Sequence, residues 1–114
     1  MTAPTLFTRI IKRELPADII YEDDICLAFK DIHPVAPIHA LLIPKQEIAM
    51  LSDVQSDQTA IMGHLMLKVS HVAGLLGLNN AFRVVVNNGA EAGQTVFHLH
   101  LHIIGGRDLH WPPG

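Results

Sequence analysis

The chain has 114 residues, with 8 Lys and Arg against 11 Asp and Glu, a formal net charge of −3 and a pI near 6.2. Clustered basic residues of the kind that bind a polyanion are absent, so DNA and RNA are excluded as partners, while a single nucleotide needs only a local pocket. Hydrophobic residues make up 49% and charged residues 17%, with mean hydropathy +0.30; this is enough apolar material for one core over residues 1–114 and too little chain for two.

Taken in order, Thr5 is placed to cap a short helix carrying Phe7, Ile10 and Ile11, which Pro16 stops. Residues 19–22 read as a strand, Asp23-Asp24 as a turn and residues 25–31 as the returning strand of a hairpin. Two prolines make 33–37 irregular, and residues 39–44 form a third, apolar strand. The one long helix is predicted over 56–76, with Ile61, Leu65, Val69, Val72 and Leu76 as its buried stripe and Gly77 as its stop. Strands at 82–87 and 96–104 flank a glycine-bearing loop at 88–95, and the tail 110–114 is irregular. The sum is an α+β fold: a five-stranded, mainly antiparallel sheet with one long and one short helix.

One cysteine, Cys26, rules out an internal disulfide or a zinc site built on Cys pairs, and suits a reducing compartment. Residues 1–7 lack the charged and apolar regions of a signal peptide, and no stretch reaches the roughly 20 apolar residues of a membrane span. The expected location is the cytoplasm, with no membrane partner. A small, weakly charged chain is also expected to bury surface against a second copy, as a homodimer.

Eight histidines are the oddity of the composition, and three lie in the run His98-Leu99-His100-Leu101-His102. On a strand these alternate, so the imidazoles share one exposed sheet face while Phe97, Leu99, Leu101 and Ile103 share the core face. A plain polar face is one reading. Metal binding is a second, since imidazole suits zinc, copper and nickel. However, the outer Cα atoms would lie roughly 13 Å apart, too far for all three rings to converge on ions bound at ~2.0–2.1 Å. Phosphoryl transfer is the third and best supported: a central His100 attacks phosphorus, and His98 and His102 donate to the phosphate oxygens. The preceding loop offers Gly89 and Gly93 for backbone N–H groups aimed at an anion, with the Thr95 hydroxyl and Asn87 amide beside them.

The run His98-Leu99-His100-Leu101-His102-Ile103-Ile104 resembles the signature of the histidine triad (HIT) superfamily. Phe29-Lys30-Asp31-Ile32-His33-Pro34, Ala36-Pro37-Ile38-His39, Ile43-Pro44-Lys45, Val86-Asn87-Asn88-Gly89, Gly93-Gln94-Thr95-Val96 and the closing residues 105–114 are similar to its nucleotide-binding (Hint) branch. The resemblance implies a homodimer with a continuous ten-stranded sheet and a purine nucleoside phosphoramidase, which hydrolyses the P–N bond of AMP- or GMP-linked amines without a metal or other cofactor. It implies His100 as nucleophile, flanked by His98 and His102, with His39 lining the same pocket. Asn87, Gly93 and Thr95 match the phosphate and leaving-group loop, and Asp31 the carboxylate that accepts the ribose hydroxyls. Phe7, Ile10, Phe29, Ile32 and Leu41 match the apolar clamp on the purine. Thr95 stands where this branch commonly has serine, which bears on leaving-group preference.

The residues by themselves also allow plainer roles: Phe7, Ile10 and Phe29 as core, His39 as a structural histidine, Asp31 as a turn residue. His33 reads as surface, His64 and His71 as surface or interface, Cys26 as packing, and Trp111 as a cover for the site or for a partner chain. A dinucleoside polyphosphate hydrolase of the same superfamily, a nucleotide-binding scaffold and a zinc-binding protein are the competing functions.

Overall fold

The computed structural model describes residues 4–114, so residues 1–3 of the opening segment read above lie outside the described ones. Helix α1 (Leu6–Ile11) starts where the Thr5 hydroxyl accepts the Thr8 backbone N–H at 3.1 Å, satisfying one of the free donors of the first turn. Strands β1 (Ile19–Glu22) and β2 (Cys26–Lys30) form the expected hairpin. Its turn is built by Asp23, whose Oδ1 accepts the N–H groups of Ile25 and Cys26, each at 2.8 Å. Strand β3 (Ile38–Pro44) follows, then helix α2 (Thr59–Leu75), β4 (Phe82–Val85) and β5 (Leu101–Gly105). The five strands form one antiparallel sheet in the order β1-β2-β3-β5-β4.

Both faces of this sheet are covered, because its central strands are apolar at successive positions rather than at alternate ones. Cys26, Ala28, Ala40, Leu42, Leu101 and Ile103 pack against Leu65, Val69, Val72 and Ala73 of α2. The intervening residues Leu27, Phe29, Leu41 and Ile43 pack with Phe7 and Ile10 of α1 on the opposite face. Burying an aliphatic or aromatic side chain of this size contributes about 1.5–3 kcal/mol, so the two small layers hold the sheet from both sides.

The predicted stripe of α2 faces the core as expected, and the chain leaves the helix at Leu76 and Gly77. The helix begins three residues later than predicted, because Ser56–Gln58 forms a tighter 3-10 turn capped reciprocally by Gln55 and Gln58. Strand β4 ends at Val85, two residues short of the predicted end.

The larger correction concerns the histidine run. Only Leu101–Gly105 is strand; residues 96–100 are not in the ladder. Pairing of β3 with β5 runs from Ile38↔Gly105 to Leu42↔Leu101 and goes no further, because β3 ends at Pro44, which has no N–H to donate. The chain before Leu101 is held instead by the Leu99 N–H on the Ile48 carbonyl at 2.6 Å. The three imidazoles therefore do not stand on a shared, exposed sheet face: His98 and His100 are buried, at 1% and 7% exposure. Leu99, Leu101 and Ile103 are core residues as expected, whereas Phe97 is 43% exposed. Among the described residues no helix is long and apolar enough to cross a membrane.

Candidate active site

On the α1 side of the sheet lies a cleft of about 480 Å³. Phe7 and Ile10 line it from α1, Phe29 and Leu41 from the sheet, Asp31 and Ile32 from the loop after β2, and Thr95, His100 and His102 from the loop and strand opposite. The wall is thus apolar at one end and carries imidazoles, a carboxylate and a hydroxyl at the other. Register explains part of this convergence: Phe29 pairs with Leu41 and Leu41 with His102, and directly opposed residues of antiparallel strands share a face. The Phe7 ring meets the Phe29 ring edge-on at 5.4 Å and the His100 ring at 5.0 Å, so α1 braces the apolar and the polar ends together.

The hydrogen bonds of the imidazoles assign their protons. His100 Nδ1 lies 2.8 Å from the His98 carbonyl, which can only accept. The proton of a neutral His100 therefore sits on Nδ1, and Nε2 carries the free lone pair; among the described residues Nε2 has no hydrogen-bond partner. His39 Nδ1 accepts the Val35 backbone N–H at 3.1 Å, so its proton sits on Nε2, which donates to His102 Nδ1 at 2.9 Å. His102 is left with its proton on Nε2. The Asp31 carboxylate, 3.4 Å from His39 Nε2, lies beside this chain, and its other oxygen accepts the His33 N–H at 2.8 Å.

Burial, aided by the neighbouring charges of His100 and His39, pushes His102 down to about 4. Burial lowers His39 as well, opposed by Asp31, and lowers His98, opposed by the Pro44 carbonyl and Glu47. These three rings are neutral at pH 7, so each has one donor and one acceptor nitrogen.

Asp31, His39 and His102 place ligand atoms within 4.8 Å of one another, as do Asp23, Cys26 and His64. Both sets are tied up by hydrogen bonds. The first is the proton chain just described. In the second, Asp23 accepts from Tyr21 Oη and His64 Nε2, each at 2.7 Å. Burial opposes ionisation of Asp23, but these bonds and those from the Ile25 and Cys26 N–H groups hold its carboxyl well below the usual range. Burial also pushes the Cys26 thiol up to about 12, which leaves it a packing residue.

Most of the residues singled out in the sequence meet at the cleft. His39 sits under His102 rather than in the cleft wall, and His98 lies behind His100. Asn87 and Gly93 are not part of the wall but adjoin each other: a Cβ on Gly93, whose φ is +97°, would lie 3.6 Å from Asn87 Nδ2. Trp111 is 82% exposed and does not cover the cleft. His33 and His71 are exposed, as expected. Three further residues had no role assigned from the sequence. Gln94 is buried and accepts the Gly89 N–H while donating to the carbonyls of Ala49 and Val96. Thr8 and Glu47 lie behind His98. A polar Thr8 between the buried Phe7 and Ile10 of a short apolar helix is the one sequence signal that marks such a contact.

Residues 12–109 match the HIT domain family. An uncharacterized HIT-like protein of Synechocystis sp. (strain ATCC 27184 / PCC 6803 / Kazusa) is 59% identical over 114 residues, the whole of both chains. The crystal structure of a HIT family hydrolase from Legionella pneumophila Philadelphia 1 superposes with a TM-score of 0.94 at 41% identity, over 97% of this chain and 100% of that one. A histidine triad nucleotide-binding protein from Candida albicans superposes with a TM-score of 0.84 at 32% identity, over 96% and 83%. With residues 12–109 matched by the family and its fold superposing over nearly its full length, the chain belongs to the HIT domain family.

Proposed function

We propose that the protein is a nucleotide hydrolase of the Hint branch, a purine nucleoside phosphoramidase that works through a nucleotidyl-histidine. The observation that carries this is His100: its Nδ1 proton is bound to a main-chain carbonyl, and its free Nε2 belongs to a ring lining the cleft. The purine of an AMP- or GMP-linked amine fits between Phe7, Ile10, Phe29, Ile32 and Leu41, and Asp31 accepts the ribose hydroxyls. His100 Nε2 attacks the α-phosphorus as the P–N bond to the amine breaks. His102, oriented by His39, donates from Nε2 to a phosphate oxygen, and backbone N–H groups of the loop with Asn87 and Gly93 stabilise the same charge. The amine needs a proton to leave, and Thr95, or a histidine acting through it, relays one; general-acid help of this kind is typically about 10²–10⁴-fold. Water then attacks phosphorus, frees His100 and releases the nucleoside monophosphate. None of these steps calls on a metal.

Two copies join in this reading, through the uncovered edge of β4 and the outward face of α2, into a ten-stranded sheet. A hydrolase and a nucleotide-binding protein among the structural relatives support a nucleotide substrate.

The test is release of AMP from an adenosine phosphoramidate, with and without EDTA, by wild type and His100→Ala. Release that ignores EDTA, and falls by about 10⁴-fold or more in the variant while nucleotide still binds, is the expected result for loss of a nucleophile. A variant that keeps most of its activity removes His100 from the role. Wild type that cleaves a dinucleoside polyphosphate and not the phosphoramidate moves the substrate assignment to the former.

A further inference from the structure

Two loops far apart in sequence meet beside the His39–His102 pair, and the hydrogen bond that joins them has no part in the chemistry above. Residues 32–37 connect β2 to β3. The Asp31 N–H on the His39 carbonyl at 3.0 Å closes this loop at its base, and Asp31 Oδ1 accepts the His33 N–H at 2.8 Å. Farther out, side-chain packing gives little support, because Val35 is 61% exposed. Its main chain is held by hydrogen bonds instead. The Val35 N–H donates to His39 Nδ1 at 3.1 Å, and the Val35 carbonyl accepts from the Arg107 guanidinium at 3.2 Å. Arg107 follows β5, next to Gly106, whose φ is +90° and whose missing side chain lets the two loops touch: a Cβ there would lie 3.0 Å from Pro37 Cβ. The other terminal nitrogen of Arg107 donates to the Asp108 carbonyl at 3.0 Å, so both arms of the guanidinium are engaged.

The Val35 N–H decides the tautomers of a pair of rings. A neutral imidazole has one N–H and one lone pair. With His39 Nδ1 accepting from Val35, the His39 proton is on Nε2 and is donated to His102 Nδ1 at 2.9 Å. His102, which lines the cleft, then keeps its own N–H at Nε2. Without the Val35 N–H both rings are free to reverse. His39 takes its proton at Nδ1, His102 donates from Nδ1 to His39 Nε2, and Nε2 of His102 carries a lone pair instead of an N–H. A phosphate oxygen is an acceptor, so a reversed pair offers it repulsion where the locked pair offers a hydrogen bond. Asp31, 3.4 Å from His39 Nε2, favours the same proton placement, so the reversal is partial. A donor aimed at developing charge is worth most when its supporting groups fix it in advance.

We propose that Arg107 is a positioning residue for His102, acting through the Val35 main chain and His39. The guanidinium holds residue 35, the Val35 N–H locks the His39 tautomer, and His39 sets that of His102. The catalytic consequence rests on the phosphoramidase reading, in which His102 donates to the phosphate; the tautomer lock stands without it.

The experiment pairs ¹⁵N NMR of the imidazoles in the full chain with steady-state kinetics on an adenosine phosphoramidate. In wild type His39 and His102 are both Nε2-protonated, and a ¹⁵N–¹⁵N coupling across the hydrogen bond joins the Val35 nitrogen to His39 Nδ1. Arg107→Met keeps the aliphatic stem and removes the donors. It weakens that coupling and gives mixed tautomers at His39 and His102, while His100, tied to the His98 carbonyl, stays Nδ1-protonated. Its kcat/KM falls about three- to tenfold, the worth of roughly one net hydrogen bond, and Arg107→Lys, which keeps a donor for the Val35 carbonyl, stays within about twofold of wild type. Unchanged tautomers at His39 and His102 in Arg107→Met overturn the proposal. So does a change that takes His100 with them, the mark of a general loosening. The side chain is exposed; should Arg107→Met not fold, Arg107→Ala is read in the same way, and a wild type without the Val35–His39 coupling overturns the lock by itself. A wild type without phosphoramidase activity defeats the functional reading alone, because the tautomers still decide the lock.

Discussion

Burial strips water from the His102 ring, and the neighbouring His100 and His39 add repulsion, so its charged form is held off down to about pH 4. A free imidazole protonates near 6.5. Between those values the unfolded chain binds a proton that the folded chain refuses, so unfolding gains ground as pH falls through that window. His39 and His98 are lowered in the same direction and add to the slope. Stability is therefore full above about pH 6.5 and is lost progressively toward pH 4. Thermal or urea melts across this range are expected to show it, with a shallower slope for His102→Gln, which has no titrating ring. A wild-type midpoint that stays flat from pH 7 to pH 4 contradicts the burial argument. The same neutrality serves the proposed chemistry, since a chain of neutral rings has defined donors and acceptors where a cluster of cations would have donors alone.

At the scale of elements, the loop between β4 and β5 depends on one side chain. Gln94 satisfies the Gly89 N–H, Ala49 O and Val96 O from a buried position, tying both ends of the loop to the segment after β3. Gln94→Ala leaves those groups without a partner and is expected to cost about 1–3 kcal/mol in urea unfolding. It should also release Thr95, the next residue, and so lower turnover more than nucleotide binding. A loss within about 0.5 kcal/mol, the range of an ordinary surface change, contradicts this role. The strands and α2 were legible because apolar spacing and a glycine stop act locally: Leu65, Val69 and Val72 announce a helix face whatever lies beside them. The bend at 96–100 was not legible, because it is set by a distant event, the end of β3 at Pro44, which leaves His98 and His100 without a ladder partner. Alternation then misplaced Phe97, which is exposed, and hid the burial of His98. The cleft residues were found as a set by their resemblance to a family. Thr8 and Gln94 make side-chain hydrogen bonds to partners tens of residues away, at Glu47 and Ala49, and no periodicity records these.

For the whole molecule, the two sides of the sheet make different demands. The α1 side carries the cleft, while the outer surface of α2 exposes Met66 at 58%, Leu67 at 78% and Leu75 at 55%. Strand β4 is an edge strand, paired among the described residues only with β5. Beside it the tail is tied by Arg83, which donates to the His110 carbonyl at 2.8 Å, and presents Trp111. An unpaired strand edge and exposed apolar side chains are both surfaces that seek a partner, and a two-fold contact with a second copy is expected to cover them. Sedimentation equilibrium is expected to give twice the chain mass of 12.5 kDa. Leu67→Asp puts an unpaired charge into that contact and should weaken association at least about tenfold, the effect of some 1.4 kcal/mol. Because Leu67 belongs to α2, across the sheet from the cleft, the variant separates assembly from ligand binding: AMP should still protect the monomer against thermal unfolding. A wild type that sediments as one chain at every concentration removes the paired sheet from this account, and a Leu67→Asp dimer as tight as wild type places the contact elsewhere.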